Sequence, residues 1–205
     1  MQPWRHAKSS ARRFGGDWRD YLDIHEFVDF AKTACGDLRH RIVLHNADVG
    51  VALAALAFPD RAFCAEIVLR HIEEDVGRTP TLEEWMRTAD RPPPEPRRQD
   101  LAALTRAAAD TIGLEDTGPI EEVLTLLSTP ARLCSHSHFA ESLLMNSFGP
   151  PLIRRLLGPA RAIERSDGTE VVFDPSWVAE GLIVAHFGRI PSLGETLAPF
   201  SGQLQ

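Results

Sequence analysis

The chain lacks any apolar run long enough to cross a bilayer. Its longest, Val49–Phe58 (VGVALAALAF), is about half of what a membrane helix needs and reads as a buried helix segment. The opening residues, MQPWRHAKSS, lack the apolar stretch of a secretory signal. The three cysteines, Cys35, Cys64 and Cys134, form no CxxC pair, so no disulfide framework is expected and a reducing cytoplasm is the simplest compartment. Basic charge is also short. Lysine and arginine number 22 against 29 aspartates and glutamates, a net charge of -7, which argues against a general nucleic-acid-binding surface. There is no P-loop, GxGxxG, HExxH or GxSxG, so no familiar motif declares a nucleotide, metalloprotease or serine-hydrolase chemistry.

What remains is an ordinary globular composition. The 205 residues are 43% apolar and 25% charged, enough for one large packed domain or two small ones. Residues 1–18 are polar, carry Gly15-Gly16, and read as an N-terminal arm. Helical spacing then predicts helices over Asp20–Cys35, over Asp37 to Ala57, and from Asp60 to Val76, with Gly77 as the closing glycine. Residues 88–98 (TADRPPPEPRR) form a proline-rich linker. Further helices are expected at about Asp100–Ile112, Ile120–Leu127, Thr129 to Phe148, after Pro151, and over Ser176–Phe187. Between the last two, Ala162–Phe173 reads as a β-hairpin turning on Ser166-Asp167-Gly168.

One stretch occurs twice. HIEEDVGRTPTLEEWM (71–86) is echoed by LIVAHFGRIPSLGETL (182–197). With Gly77 set on Gly188, Arg78, Pro80, Leu82 and Glu84 fall on Arg189, Pro191, Leu193 and Glu195. Thr81 with Glu84, and Ser192 with Glu195, have the spacing of a capping box, so each copy predicts a glycine-closed helix, a turn and a capped short helix. The expectation is a mainly α helical bundle built from a duplicated helix–helix–corner unit, residues 37–87 pairing with 130–198 and the hairpin inserted in the second half. The corresponding division is 1–90, an N-terminal repeat with the candidate site; 91–118, linker and helix; and 119–205, a C-terminal repeat.

Five of the eight histidines, His6, His25, His40, His45 and His71, precede residue 72. Several have an acid one helical turn away: His25 with Asp29, His45 with Asp48, His71 with Glu74 and, later, His138 with Glu141. Such a pair shares a helix face and can offer two ligands to one ion. A single pair is more often a solvated helix pair, and a histidine in a last turn, such as His71, also complements the helix dipole. Five gathered in one third of the chain point to a shared site. The expected metal ligands are His25, Asp29, His40, His45 and His71, with Glu74 or Asp48 as an assisting acid or general base. Imidazoles with carboxylates suit zinc, iron or manganese. Arg39-His40-Arg41 could contact a phosphate, although a solvated helix face is the simpler reading. Ser9-Ser10 have no nucleophile context and read as a turn or cap.

The runs HAKSSARRFGG, DYLDIHEFVDFAKTACGDLRHRIVLHNADVG and HIEEDVGRTPTLEEWM together resemble a family of small, uncharacterised bacterial and phage proteins, over about residues 5–87. The resemblance implies a histidine set at His6, His25, His40, His45 and His71 and no settled activity. Where that pattern has a double histidine, this chain has His45-Asn46, which also departs from the His-Asp dyad of histidine-aspartate phosphohydrolases. In the second copy Leu182 stands in the place of His71, and His186 in that of Asp75.

The functional expectation is a metal-dependent hydrolase acting on an ester or phosphoester through a His/carboxylate site with a divalent zinc, iron or manganese ion. The alternative is a non-catalytic binding or scaffold module that recognises a protein partner or a small ligand. No membrane partner is expected.

Overall fold

The computed structural model describes residues 1–90, 100–134 and 137–200. The chain is mainly α, with one two-stranded antiparallel sheet among the described residues. It divides into two compact units at Arg91/Pro92 and Thr196/Leu197, the residues from Leu197 onward belonging with the first. No described helix is long and apolar enough to cross a membrane.

The first unit opens with α1, Pro3–Phe14, within the stretch that reads in sequence as an N-terminal arm. Pro3 sits in the first turn, where its missing N–H costs nothing, and Arg12 and Arg13 complement the C-terminal end of the helix dipole. The polarity of the segment hid its amphipathic logic: His6, Ala7, Ser9 and Ser10 form a buried face that is largely polar, so no apolar stripe signals it. Next come α2 (Arg19–Val28), a 3-10 turn (Phe30–Thr33), a second 3-10 turn (Leu38–His40), α3 (Arg41–Leu44), α4 (Val49–Ala57), α5 (Cys64–Val76) and α6 (Leu82–Met86). Helix α5 is the hub, packing against α1, α2 and α4. Ile24, Phe27, Leu44, Leu53, Ile67 and Ile72 fill the space between these helices and are fully buried. At roughly 1.5–3 kcal/mol for each such side chain, this apolar burial holds the unit together.

Three helix boundaries differ from expectation, each for a local reason. The Asp20–Cys35 helix stops at Val28, and Asp29 takes the C-cap position before the 3-10 turn. Helix α5 starts at Cys64 rather than at Asp60, behind Phe63 in a left-handed conformation (φ 59°). The long helix expected from Asp37 to Ala57 is broken between Leu44 and Val49. There the buried Asn46 amide donates to the carbonyls of Ile42 and Val43 (3.0 and 3.2 Å) and accepts from the Gly50 amide (2.9 Å). The side chain thus replaces backbone partners and stabilises the break. Gly50 permits it: a Cβ there would lie 2.0 Å from the Leu44 carbonyl oxygen.

The corner behaves as the sequence predicts. Gly77 closes α5 with φ 77°, and Thr81 and Glu84 form both halves of the capping box on α6. It also reaches back to the break. Ala47 N donates to Pro80 O (2.7 Å), Leu82 N to the Asp48 carboxylate (3.0 Å) and Trp85 Nε1 to His45 O (2.9 Å).

The second unit contains α7 (Leu101–Ile112), α8 (Gly118–Leu127), α9 (Thr129–Leu133), α10 (Ser137–Leu144), α11 (Gly149–Leu157), strands β1 (Arg161–Glu164) and β2 (Glu170–Phe173), α12 (Pro175–Phe187) and α13 (Leu193–Thr196). The single helix expected from Thr129 to Phe148 is therefore two. The hairpin forms as predicted, with Glu164 opposite Glu170. Helix α12 packs on α7, α8 and α11. Locally this unit uses contacts like those of the first. Asn146 donates to Ser142 O and Leu143 O, Ser147 N donates to Pro191 O, Leu193 N donates to Ser147 Oγ, and Gly188 closes α12 with φ 76°. Most of the proline-rich stretch lies outside the described residues, as do the side chains of His136, His138 and Glu141.

Candidate metal centre

Three elements of the first unit each aim one or two side chains at one buried point. Asp29 comes from the end of α2. His45 comes from the break after α3, its backbone held by the corner through Trp85. His71 and Asp75 lie one turn apart on α5. His45 Nε2 lies 3.6 Å from Asp29 Oδ1 and 3.6 Å from Asp75 Oδ2, and His71 Nε2 lies 3.5 and 3.9 Å from the same two oxygens. The four ligand atoms all fall within 4.8 Å of one another. Ligand bonds of about 2.1 Å imply edges of about 3.4 Å in a tetrahedron, and about 3.0 and 4.2 Å between neighbouring and opposite donors in an octahedron. The four histidine–carboxylate separations, 3.5 to 3.9 Å, lie in that range and are long for hydrogen bonds.

The polar inventory points the same way. His45 Nε2, His71 Nε2 and Asp75 Oδ2 are buried with no hydrogen-bond partner, and Asp29 Oδ1 has the Lys32 ammonium beside it. Buried polar atoms are almost always paired, so a convergent set with three unpaired atoms could hold a cation. The residues fit a divalent ion. Burial pushes both His45 and His71 down to about 4 against the opposing pull of the carboxylates. Burial works against the two carboxyls as well. It is outweighed at Asp29 by His71 and Lys32, and at Asp75 by His45, His6, the amino terminus and His71, so both lie well below the usual carboxylate range. At neutral pH the set is two neutral imidazoles and two carboxylates, the state metal ligation requires.

The other expected site residues take different places. His25 is adjacent but turned outward from the four: its Nδ1 meets His71 Nδ1 at 2.9 Å and its Nε2 meets Ser10 Oγ at 2.9 Å. With His71 Nε2 facing the centre, His71 Nδ1–H donates to His25 Nδ1, and His25 Nε2–H donates to Ser10. This chain fixes the His71 ring and its tautomer. Burial, reinforced by the charges of His71 and His6, pushes His25 down to about 2, so it remains neutral in that role. His40 stands edge-on to His45, ring centroids 5.6 Å apart. Its Nδ1 is bonded to the Asp37 carbonyl oxygen, an acceptor only, so Nδ1 carries the hydrogen and the buried, unpartnered Nε2 carries a lone pair. Burial, with help from the Lys32 and Arg41 charges, lowers its pKa.

Glu74 and Asp48 are engaged elsewhere. Glu74 accepts from Ser9 Oγ (2.5 Å), pairs with Arg70 (3.1 Å) and meets His6 Nδ1 at 2.7 Å. Asp48 caps α4 at Val49 N (2.9 Å) and binds Leu82 N across the corner. Asp48 is thus a joint of the scaffold. His6 stacks on His71 with centroids 4.0 Å apart, and its Nε2 lies 3.1 Å from Asp75 Oδ1.

Asp75 is the residue that sequence reasoning passed over. The signal was present, since His71 and Asp75 are i,i+4 on one helix. The adjacent Glu74, at i+3, was the nearer partner in sequence but turns toward α1. Ser9 and Ser10, read as a turn or cap, are helical and support Glu74 and His25. In the second unit the corner-aligned positions hold Leu182 and His186, so the His71/Asp75 pair has no counterpart there.

Residues 1–94, somewhat less than half of the chain, match the model of a family described as a domain of unknown function, DUF6915. No curated protein and no solved structure matches the chain.

Proposed function

We propose that the first unit binds a divalent metal ion through Asp29, His45, His71 and Asp75 and uses it to hydrolyse an ester or phosphoester. The observation that carries this reading is the convergence of four buried ligand atoms, three of them without a hydrogen-bond partner and the fourth, on Asp29, paired with Lys32. Two imidazoles and two carboxylates suit zinc, iron or manganese. A bound ion of this kind lowers the pKa of its water to near 7 and polarises an ester oxygen. The protein adds a base and positioning. His40 presents a buried lone pair at Nε2 beside His45 and can take a proton from water at the centre. His25 and Ser10 keep His71 oriented.

A second reading follows from burial. All four ligand side chains are 6% exposed or less, and a closed sphere of protein donors is the pattern of a structural ion. The centre would then stabilise a module that binds a protein or small-molecule partner.

Metal analysis of protein purified without a histidine tag, followed by assays on p-nitrophenyl phosphate and p-nitrophenyl acetate, separates these readings. The hydrolase reading expects about one ion per chain and turnover that His40→Gln reduces about 10²-fold or more while the ion stays bound. One ion per chain with no turnover leaves the structural reading. A folded protein that takes up no zinc, iron or manganese refutes both.

A further inference from the structure

We infer that the centre's substrate is a phosphate monoester dianion, held by Arg41 and Lys32. This rests on the metal-dependent reading above and names its substrate class. Both cations reach the same ligand oxygen: Arg41 Nη2 and Lys32 Nζ each lie 3.9 Å from Asp75 Oδ2. Both are partly open to solvent, Arg41 at 21% and Lys32 at 35%, so an anion can approach them without parting the core. Arg41 Nε is buried and has no hydrogen-bond partner. The guanidinium therefore keeps one uncommitted donor.

Neighbouring charges are already matched. Arg39 is clamped on Asp37 by contacts of 2.6 to 3.0 Å, and Arg70 is held by Glu74 and Ser9. Among the described residues, the acids paired with Arg41 and Lys32 are the two carboxylates of the centre, Asp29 and Asp75. A divalent ion would neutralise Asp29 and Asp75 and leave these two positive charges uncompensated. Two surplus cations beside an electrophilic ion match a dianion bearing several acceptor oxygens. Above its second ionisation near 6, a phosphate monoester is such a dianion. A diester carries one charge and leaves one cation unmatched.

The test is calorimetric titration of the full chain at pH 8, metal-free and loaded with zinc, using inorganic phosphate, phenyl phosphate and diphenyl phosphate. The loaded protein is expected to bind phosphate and phenyl phosphate at least about tenfold more tightly than the metal-free protein. It should prefer phenyl phosphate to diphenyl phosphate by at least about tenfold. Arg41→Met and Lys32→Met should each weaken phosphate at least about tenfold yet keep or tighten zinc, because each removes a cation beside a cation site. Arg39→Met should change neither. A zinc-dependent rise in Tm shows that each variant folds. Zinc uptake with phosphate bound equally by the parent and Arg41→Met overturns the inference and leaves the metal centre standing, as does a diester bound as tightly as the monoester. A parent that binds no zinc overturns both.

Discussion

Replacing Asp75 and its neighbour Glu74 one at a time tests the centre most directly, because one helical position separates a proposed ligand from a supporting acid. In chelator-stripped protein, a metal at a hundred times its Kd stabilises the folded first unit by about 2.7 kcal/mol. For a unit of about 100 residues, 1 kcal/mol moves Tm by about 4–8 °C, so zinc should raise the parent's Tm by roughly 10–20 °C. Asp75→Asn replaces an anionic ligand oxygen that has no hydrogen bond of its own. If affinity falls a hundredfold, the same zinc leaves about 0.4 kcal/mol, or about 2–3 °C. The metal-free protein should also melt lower, since the buried Asp75 carboxylate faces Met1, His6 and His45. Glu74→Gln keeps a hydrogen-bonding group toward His6 and Ser9. At a tenfold loss, typical of outer supports, about 1.4 kcal/mol remains, or about 6–11 °C. Scanning calorimetry with and without zinc reads all three. Equal loss of the zinc shift in both variants would refute the assignment, as would no shift in the parent with zinc, manganese or iron.

Acid should weaken the metal-free protein before its carboxylates titrate. The folded values of His45 and His71, about 4, lie below the ordinary histidine value, so their contribution is intact above about pH 6.5 and is lost as pH falls toward 4. At pH 5 each costs on the order of 2 kcal/mol, seen as a lower urea midpoint than at pH 8; a flat profile from 8 to 5 would contradict neutral burial. Ser10→Ala removes the hydroxyl on His25 Nε2 and should weaken zinc about 10–100-fold, measured by competition with a chelating dye, while one zinc still binds. Unchanged zinc affinity would remove the Ser10–His25–His71 chain from the account. Gly50→Ala drives a Cβ onto the Leu44 carbonyl and should cost about 1–3 kcal/mol in urea unfolding, with wild-type stability as the contrary result.

Local signals were legible where their physics is local. Thr81 and Glu84 cap each other three residues apart, Gly77 must take a left-handed turn, and the hairpin turns on Ser166-Asp167-Gly168. Each reads from a few adjacent letters. The break at His45–Asp48 did not, because the Asn46 side chain that sustains it imitates backbone hydrogen bonding inside an otherwise helical pattern. Helix α1 escaped for the opposite reason: its buried face is His6, Ser9 and Ser10, polar residues whose burial is justified only by partners on α2 and α5.

The sequence by itself determined a mainly α chain, a capped corner and an excess of histidines before residue 72, since helix periodicity, capping and composition are properties of neighbouring residues. Tertiary structure alone decided which of them form a site. Asp75 faces the centre and Glu74 faces α1 because helix rotation aims i+4 one way and i+3 another. His25 stands outside the four converging atoms because its Nδ1 meets His71 and its Nε2 meets Ser10. His45 reaches the others only because the corner, through Pro80, Leu82 and Trp85, grips the break from which it projects.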